Sequence, residues 1–357
     1  MNNIVGENCL RLIRRGIGHA ADAMSMNLDW TELQAFADKQ GLAAVVLDGI
    51  EGLPIEKRPP QELLLEWIGE VLQSYEYRYE QYEKTISELA RFYNYHGYKM
   101  MVLKGLACAI NWPKPAHRPC GDIDIWQFGA YKEADKLIAS EKKVKVNTSH
   151  HHHTVFDWGE FTVENHYDFV NVYHNKSNAE LEKLFKKLGQ DDSYYTEVNG
   201  ERVYLPSPNL HALFLLKHAM NDFTTSSVTI RQVLDWAFFV EKHNNEIDWK
   251  WLKCVLEEYN MMEFFNTINA ICVENIGFEA SIFHGVQFNP NIKEKVFYDI
   301  LYPKFERSEP KWLIPRLLFK YRRWKANEWK RTMCYSENGC GSFWSGIWNH
   351  LLKPATI

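Results

Sequence analysis

Residues 121–126, Gly-Asp-Ile-Asp-Ile-Trp, alternate polar and apolar side chains. A period of two is typical of a β-strand with one face in a core. Upstream, apolar residues recur every three or four positions from 60 to 96. That spacing predicts one long amphipathic helix, which Gly97 ends. The chain is therefore expected to combine strands with long helices.

Three further strands are predicted by short apolar runs between turn residues, at 98–103, 153–156 and 161–167. Residues 157–160 should join the last two strands as a hairpin. Helical spacing returns after Leu205, with Ser207 as the predicted N-cap and Pro208 as the first helical residue. The predicted fold class is α+β. Its parts are a helical region at 1–97, an α/β core at 98–206 and a helical domain at 207–357.

Composition excludes several classes of protein. Hydrophobic residues make up 46% and charged residues 24%, which argues against disorder. The net charge of -5 argues against wholesale electrostatic binding of nucleic acid. The seven cysteines are scattered and form no Cys-x-x-Cys pair, which favours a reducing compartment. No apolar run approaches the roughly 18 residues of a membrane span. We expect a cytoplasmic protein.

The predicted strand at 121–126 carries two acidic residues, two positions apart. Residues i and i+2 of a strand share a face, so Asp122 and Asp124 project side by side. Neighbouring carboxylates repel each other unless a cation neutralises them, and Mg²⁺ with substrate phosphates does this well. Repulsion alone predicts that asparagine at either position leaves stability equal or higher. Upstream, Lys104-Gly105 leads into a short helix, whose N-terminal N–H groups suit a phosphate.

The hairpin predicts which polar side chains join this pair. A turn at 157–160 places His153 opposite Glu164 and His151 opposite His166. Glu164 and His166 also share a face by alternation, and a carboxylate there would complete a metal-binding trio. The run at 150–153 is open to three interpretations: an exposed polar strand, neighbours of a phosphate, or a histidine-only zinc site.

These residues carry a resemblance. The segments Leu103-Lys-Gly, Asp122-Ile-Asp and Val163-Glu-Asn-His, together with Arg118, resemble the nucleotidyltransferase superfamily of DNA polymerase beta type. They are most similar to a branch of largely uncharacterised bacterial nucleotidyltransferases in which Lys-Gly replaces the usual Gly-Ser. Here Leu106 follows Gly105, so Lys104 would have to take the part of the serine hydroxyl.

The resemblance implies a mixed sheet flanked by helices and Mg²⁺, or Mn²⁺, held by Asp122, Asp124 and Glu164. It also implies that Glu164 lies beside the strand of the two aspartates, with its carboxylate about 4–6 Å from the nearer one. It implies transfer of a nucleoside monophosphate from an NTP to an acceptor hydroxyl with release of pyrophosphate. The acceptor would be a small molecule, a sugar-related compound or a protein. The residues expected to contact the nucleotide or its phosphates are Lys104, Gly105, Arg118, His166, Lys217 and His218.

Two further features of the C-terminal half have predicted roles. Arg231 and Asp235 stand four residues apart, which predicts a surface or interhelical ion pair. Residues 311–331 interleave basic and aromatic side chains. Such a stretch can lie on an anionic membrane surface or bind nucleic acid. The alternative is a helix packed against the domain, with a solvated basic face.

Two other functions compete with the nucleotidyltransferase. One is a non-catalytic nucleotide-binding or regulatory module that kept the fold. The other is an Asp-x-Asp glycosyltransferase that holds a nucleotide sugar through a metal. The glycosyltransferase would need several strand–helix units before the motif, whereas 60–97 reads as one long helix.

Overall fold

The computed structural model describes residues 3–21, 28–172, 176–284, 287–305, 310 and 312–335. One six-stranded sheet has the strand order β3-β4-β2-β1-β6-β5. The bounds are β1 Met101–Val102, β2 Ile123–Trp126, β3 His153–Trp158, β4 Phe161–His166, β5 Tyr195–Val198 and β6 Glu201–Tyr204. β1 is antiparallel to β2 and parallel to β6, while β2 is parallel to β4. This mixed sheet, flanked by helices, confirms the α+β fold class.

The first part of the chain is helical, as its spacing predicts. Its helices are α1 Asn3–Gly16, α2 Trp30–Gln40, α3 Ala43–Glu51, α4 Gln61–Val71 and α5 Arg78–Tyr95. A π-helical segment, Leu72–Tyr77, joins α4 directly to α5. The predicted long helix is therefore continuous, with a wider turn inside it. Gly97 follows its end with φ of +79°, a left-handed conformation that glycine adopts readily.

The remaining helices surround the sheet and extend beyond it. They are α6 Leu106–Ala109, α7 Tyr131–Lys142, α8 Lys176–Leu188, α9 Pro208–Thr225, α10 Ile230–His243, α11 Trp249–Glu258, α12 Met262–Ala270, α13 Pro290–Leu301, α14 Leu313–Ala326 and α15 Glu328–Cys334. Pro208 is the first residue of α9, as predicted, although the Ser207 side chain makes no capping hydrogen bond. A π-helical segment, Ile271–Ile276, continues α12.

The two faces of the sheet pack against different helices. Ile123 and Ile125 lie in an apolar cluster with residues of α5 and α7. Trp126, on the opposite face, contacts Phe169, which in turn packs on Phe214 of α9. Because alternate residues of a strand point to opposite faces, Asp124 lies on the α9 face. Burial of an isoleucine side chain contributes about 1.5–3 kcal/mol, so the apolar face anchors the strand that carries the acid.

The predicted pairing of the β3–β4 hairpin is wrong by two positions. His153 pairs with His166, and Trp158 pairs with Phe161. The turn is the two-residue loop at 159–160, in which Gly159 has φ of +61°. Two-residue hairpin loops need a positive φ at the first central residue, and glycine supplies it. A shift of two positions keeps every side chain on its predicted face, so the functional face is unchanged.

The basic aromatic stretch forms α14 and α15, with residue 311 outside the described residues. Ile314, Leu317, Leu318 and Tyr321 repeat every three or four positions along α14 and are exposed. Binding to a membrane or to nucleic acid stays a prediction. None of the helices in the described ranges is long and apolar enough to cross a membrane. The six cysteines in those ranges are free, and Cys340 lies outside them.

Candidate active site

Asp124 lies at the centre of a buried polar cluster. Its Oδ1 accepts a hydrogen bond from His166 Nε2 at 3.0 Å and contacts Lys104 Nζ at 3.1 Å. The side chain is almost completely buried. Burial raises the pKa of Asp124, but Lys104 and the bond from His166 outweigh this and hold the pKa well below its usual range. Asp124 is therefore a carboxylate held between two cationic groups.

His166 contacts two acids, Asp124 on β2 and Glu164 on its own strand, β4. Its Nε2 lies 3.6 Å from Glu164 Oε2, and its Nδ1 donates to the carbonyl of Asp168 at 3.3 Å. Burial lowers the pKa of His166, but the bonds to Asp124 and Glu164 prevail and raise it to about 9. The ring is thus an imidazolium at neutral pH and donates from both nitrogens.

The register of two parallel strands brings Asp124 and Glu164 together. These residues are partners in the β2–β4 pairing. One ligand atom each from Asp124, Glu164 and His166 lies within 4.8 Å of the other two. Glu164 therefore lies close to the nearer aspartate, at a separation no greater than 4.8 Å between these atoms. Such a group can hold a metal ion through two oxygens and one nitrogen.

Asp122 borders the same cleft, but its carboxylate lies outside that compact group. It precedes β2 in an exposed position. Partial burial and the charges of Glu164 and Asp124 raise the pKa of Asp122. Of the three predicted acids, Asp124 and Glu164 are therefore close together, and Asp122 lines the same cleft without joining them.

A cleft of about 200 Å³ lies beside these acids, between the sheet and helices α9 and α10. Four basic side chains line it: Lys104, Arg118, His218 and Arg231. Asp122, Asp124 and Asp235 line it as well. The combination of fixed cations with acids at one edge suits a phosphate chain and its metal.

Gly105 shapes the cleft through its backbone. Its φ is +57°, and a Cβ built on it would lie 1.9 Å from the hydroxyl of Tyr82. That hydroxyl donates to the carbonyl of Asp122 at 3.2 Å. Only glycine satisfies both the left-handed backbone and this close approach. Tyr82 thereby links the Lys104–Gly105 turn to the acid strand, which local sequence did not reveal.

Asp235 has a different partner from the predicted one. Its carboxylate binds the guanidinium of Arg118, and Trp112 Nε1 donates to it at 2.9 Å. No hydrogen bond or ion pair joins Arg231 to any residue in the described part of the chain. Arg231 instead lines the cleft, where burial and the charge of Arg118 lower its pKa. Sequence reasoning missed Arg231 as a candidate binding residue because its spacing to Asp235 suggested an ion pair.

The two basic residues predicted to contact the nucleotide from α9, Lys217 and His218, have different surroundings in the structure. His218 lines the cleft, and its Nε2 lies 3.2 Å from Asp222. Lys217 is buried, with Nζ 4.8 Å from the ring centre of Tyr335, and it is not among the residues lining the cleft. Successive helix residues point about 100° apart, so a residue next to His218 need not face the same cleft. A nucleotide contact by Lys217 stays a prediction that this placement disfavours.

Comparison with known proteins agrees with the geometry. Residues 26–277 match the model of a family described as uncharacterised nucleotidyltransferase. A crystal structure of an antigenic nucleotidyltransferase-like protein from Paracoccidioides brasiliensis has a TM-score of 0.36 at 13% identity, covering 57% of this chain and 96% of that one. That likeness is distant, and nothing about this chain rests on it. No curated protein matches the chain. Because the family model covers well over half of the sequence, the chain belongs to the uncharacterised nucleotidyltransferase family.

Proposed function

We propose that this protein transfers a nucleoside monophosphate from an NTP to an acceptor hydroxyl and releases pyrophosphate. The observation that carries the proposal is the pairing of Asp124 with Glu164 on adjacent parallel strands, at the edge of a cleft lined by four basic side chains. Phosphoryl chemistry needs charge neutralisation and positioning more than covalent help from the protein. This cleft offers both.

The donor set fits a divalent metal such as Mg²⁺ or Mn²⁺. Asp122, Asp124 and Glu164 would hold it through oxygen, the ligand that Mg²⁺ prefers. Lys104 and His166 contact Asp124 in this structure. Asp124 is therefore ionised, and its negative charge is balanced by these two neighbours. When bound, the metal would neutralise charge on the phosphates and orient them for in-line displacement.

The basic side chains would bind the triphosphate. Lys104 and Arg231 present charge to the cleft, and Arg118 is held in one orientation by its two bonds to Asp235. A guanidinium that is already fixed loses little entropy when it binds phosphate. Gly105 lets the chain pass close to the hydroxyl of Tyr82, which binds the carbonyl of Asp122, and the neighbouring Lys104 reaches Asp124.

Purified protein with radiolabelled ATP, GTP, CTP and UTP, each with Mg²⁺ and then Mn²⁺, tests the reaction. Release of pyrophosphate with transfer of label, to the protein itself or to an added acceptor, supports the enzyme. Asp124→Asn should abolish transfer, whereas Glu160→Gln, an exposed acid in the hairpin turn, should leave it unchanged. Nucleotide binding without turnover supports the non-catalytic module, and consumption of a nucleotide sugar would support the glycosyltransferase.

A second variant tests the phosphate contact. Lys104→Ala should weaken binding of the triphosphate much more than binding of the nucleoside, because a point charge acts on phosphate oxygens. Lys136→Ala, on the exposed surface of α7, is the matched control. Equal losses for triphosphate and nucleoside would place Lys104 outside the phosphate site.

A further inference from the structure

Three imidazole rings meet where β3 begins and β4 ends. His153 pairs directly with His166 across the two strands, and His152 precedes β3. The ring centres are 4.3 Å apart for His152 and His153, 5.5 Å for His152 and His166, and 5.2 Å for His153 and His166. One nitrogen from each of the three rings lies within 4.8 Å of the other two.

Within the described part of the chain, two of these rings lack hydrogen-bond partners at a buried nitrogen, whereas both nitrogens of His166 have partners. His153 is 7% exposed and His166 is 4% exposed. Nδ1 of His152 and Nδ1 of His153 are buried and have no hydrogen-bond partner among the residues that the structure describes. A buried polar atom without a partner costs about 1–3 kcal/mol. The interpretation of the run at 150–153 as an exposed polar strand is therefore wrong for His153.

A carboxylate completes the surroundings of the rings. Glu164 Oε2 lies 3.5 Å from His153 Nδ1 and 3.6 Å from His166 Nε2. Three imidazoles and one carboxylate form the donor set of a four-coordinate zinc site. Mg²⁺ and Ca²⁺ require oxygen ligands and are not served by this arrangement.

We propose that His152, His153 and His166, with Glu164 as fourth ligand, bind a transition-metal ion of the Zn²⁺ class. His166 would release a proton on binding, because only a neutral imidazole has a free lone pair for the metal. A Zn–N distance of about 2.0–2.1 Å in tetrahedral geometry puts ligand nitrogens roughly 3.3 Å apart. Ring nitrogens now up to 4.8 Å apart would have to close by an ångström or more. Rotation of side chains at the start of a strand can supply that movement.

The site would be distinct from the proposed Mg²⁺ position but would share one residue with it. Glu164 has two carboxylate oxygens, and carboxylates can bridge neighbouring metal ions. Asp122 belongs to the proposed Mg²⁺ position and lies outside the group of histidines. Because the two donor sets share only Glu164, one proposal can fail while the other stands.

Metal binding by the full chain tests the proposal. Protein stripped with a chelator is titrated calorimetrically with ZnCl₂ alone and with MgCl₂ alone. We expect one tight Zn²⁺ per chain, with affinity reduced roughly 100-fold or more in His152→Gln/His153→Gln because two ligands are removed. Asp122→Asn and His96→Gln, whose histidine packs on Phe92 away from the cluster, should bind Zn²⁺ as the wild type does.

Each result is decisive. Absence of Zn²⁺ binding by the wild type, or equal binding by the double variant, overturns the proposal. Loss of Zn²⁺ in Asp122→Asn would place the ion at the acids and would also overturn it. If the double variant does not fold, His153→Asn is compared by the visible absorption of bound Co²⁺, which depends on the nitrogen ligands. Zn²⁺ binding without nucleotidyl transfer would contradict only the proposed function.

Discussion

Arg118 and Asp235 form a buried two-point ion pair. Arg118 Nε donates to Asp235 Oδ1 at 2.7 Å, and Nη2 donates to Oδ2 at 3.0 Å. The pair ties the loop before β2 to α10, so the acid strand and the cleft wall are held in one geometry. Because Asp235 is occupied by Arg118, the neighbouring Arg231 is left facing the cleft.

Breaking this pair should destabilise the whole fold. Removing one partner of a buried ion pair leaves the other charge uncompensated and costs about 3–5 kcal/mol. Asp235→Asn should therefore lower the free energy of unfolding by about that amount, as measured by urea denaturation. Glu241→Gln, an exposed acid on the same helix, is the control and should change little. A loss below about 0.5 kcal/mol for Asp235→Asn would show that the pair is structurally neutral.

The two aspartates of the strand motif should respond differently to loss of charge. Asp124→Asn deprives Lys104 and His166 of their shared partner and should destabilise the protein by about 3 kcal/mol. Asp122→Asn relieves repulsion from Glu164 and Asp124, so stability should be equal or higher. Repulsion between the carboxylates alone predicts equal or higher stability for both variants. Thermal melts in chelator compare the two variants, and similar melting temperatures would contradict this assignment.

One buried histidine should make stability depend on pH. His117 Nδ1 lies 2.7 Å from Asp48 Oδ2, and its Nε2 lies 3.1 Å from Glu76 Oε1. Burial lowers the pKa of His117, but the two carboxylates prevail and raise it above its ordinary value. The folded state therefore binds the proton more tightly. The stabilisation is complete below about pH 6.5 and is lost as pH rises through the folded-state pKa.

The measurement is the difference in unfolding free energy between wild type and His117→Gln across pH 5–9. That difference should be largest at the acidic end and should shrink as pH rises. His96→Gln, on the end of the long helix, should follow the wild-type profile. A constant difference between wild type and His117→Gln would show that the protonation of His117 does not contribute.

The exposed apolar face of α14 should bind anionic lipid in preference to nucleic acid. Ile314 is 79% exposed, and Trp312, just before the helix, is 80% exposed. Aliphatic side chains such as Ile314 are stabilised by entering a bilayer interface and gain little from a phosphate backbone. Basic residues on the same helix would attract anionic headgroups. Ile314→Glu should reduce co-sedimentation with phosphatidylglycerol vesicles, whereas Leu65→Glu, also exposed, should not. Binding to RNA but not to vesicles would contradict the prediction.

Local patterns determined most of the secondary structure. The period of two at 121–126, the long helical period at 60–96 and the capping position of Asp29, whose side chain accepts from the N–H of Glu32 at 3.0 Å, depend on residues a few positions apart. Side-chain faces within one strand follow from the same spacing, which is why Glu164 and His166 could be assigned to one surface. That Asp124 lies beside Glu164 was implied only by the family resemblance. A strand's alternation survives a register error of two, so the assignment of Glu164 and His166 held although the hairpin pairing did not.

The partners of the buried charges were decided only by the tertiary structure. Asp235 binds Arg118, 117 positions away, rather than Arg231 on its own helix. Asp124 is neutralised by Lys104 and His166, which come from a turn and from another strand. Sequence spacing specifies which face a side chain occupies, but not how far apart two elements pack or which of several nearby cations reaches a carboxylate. Those outcomes depend on the packing of helices against the sheet, and packing is a property of the whole chain.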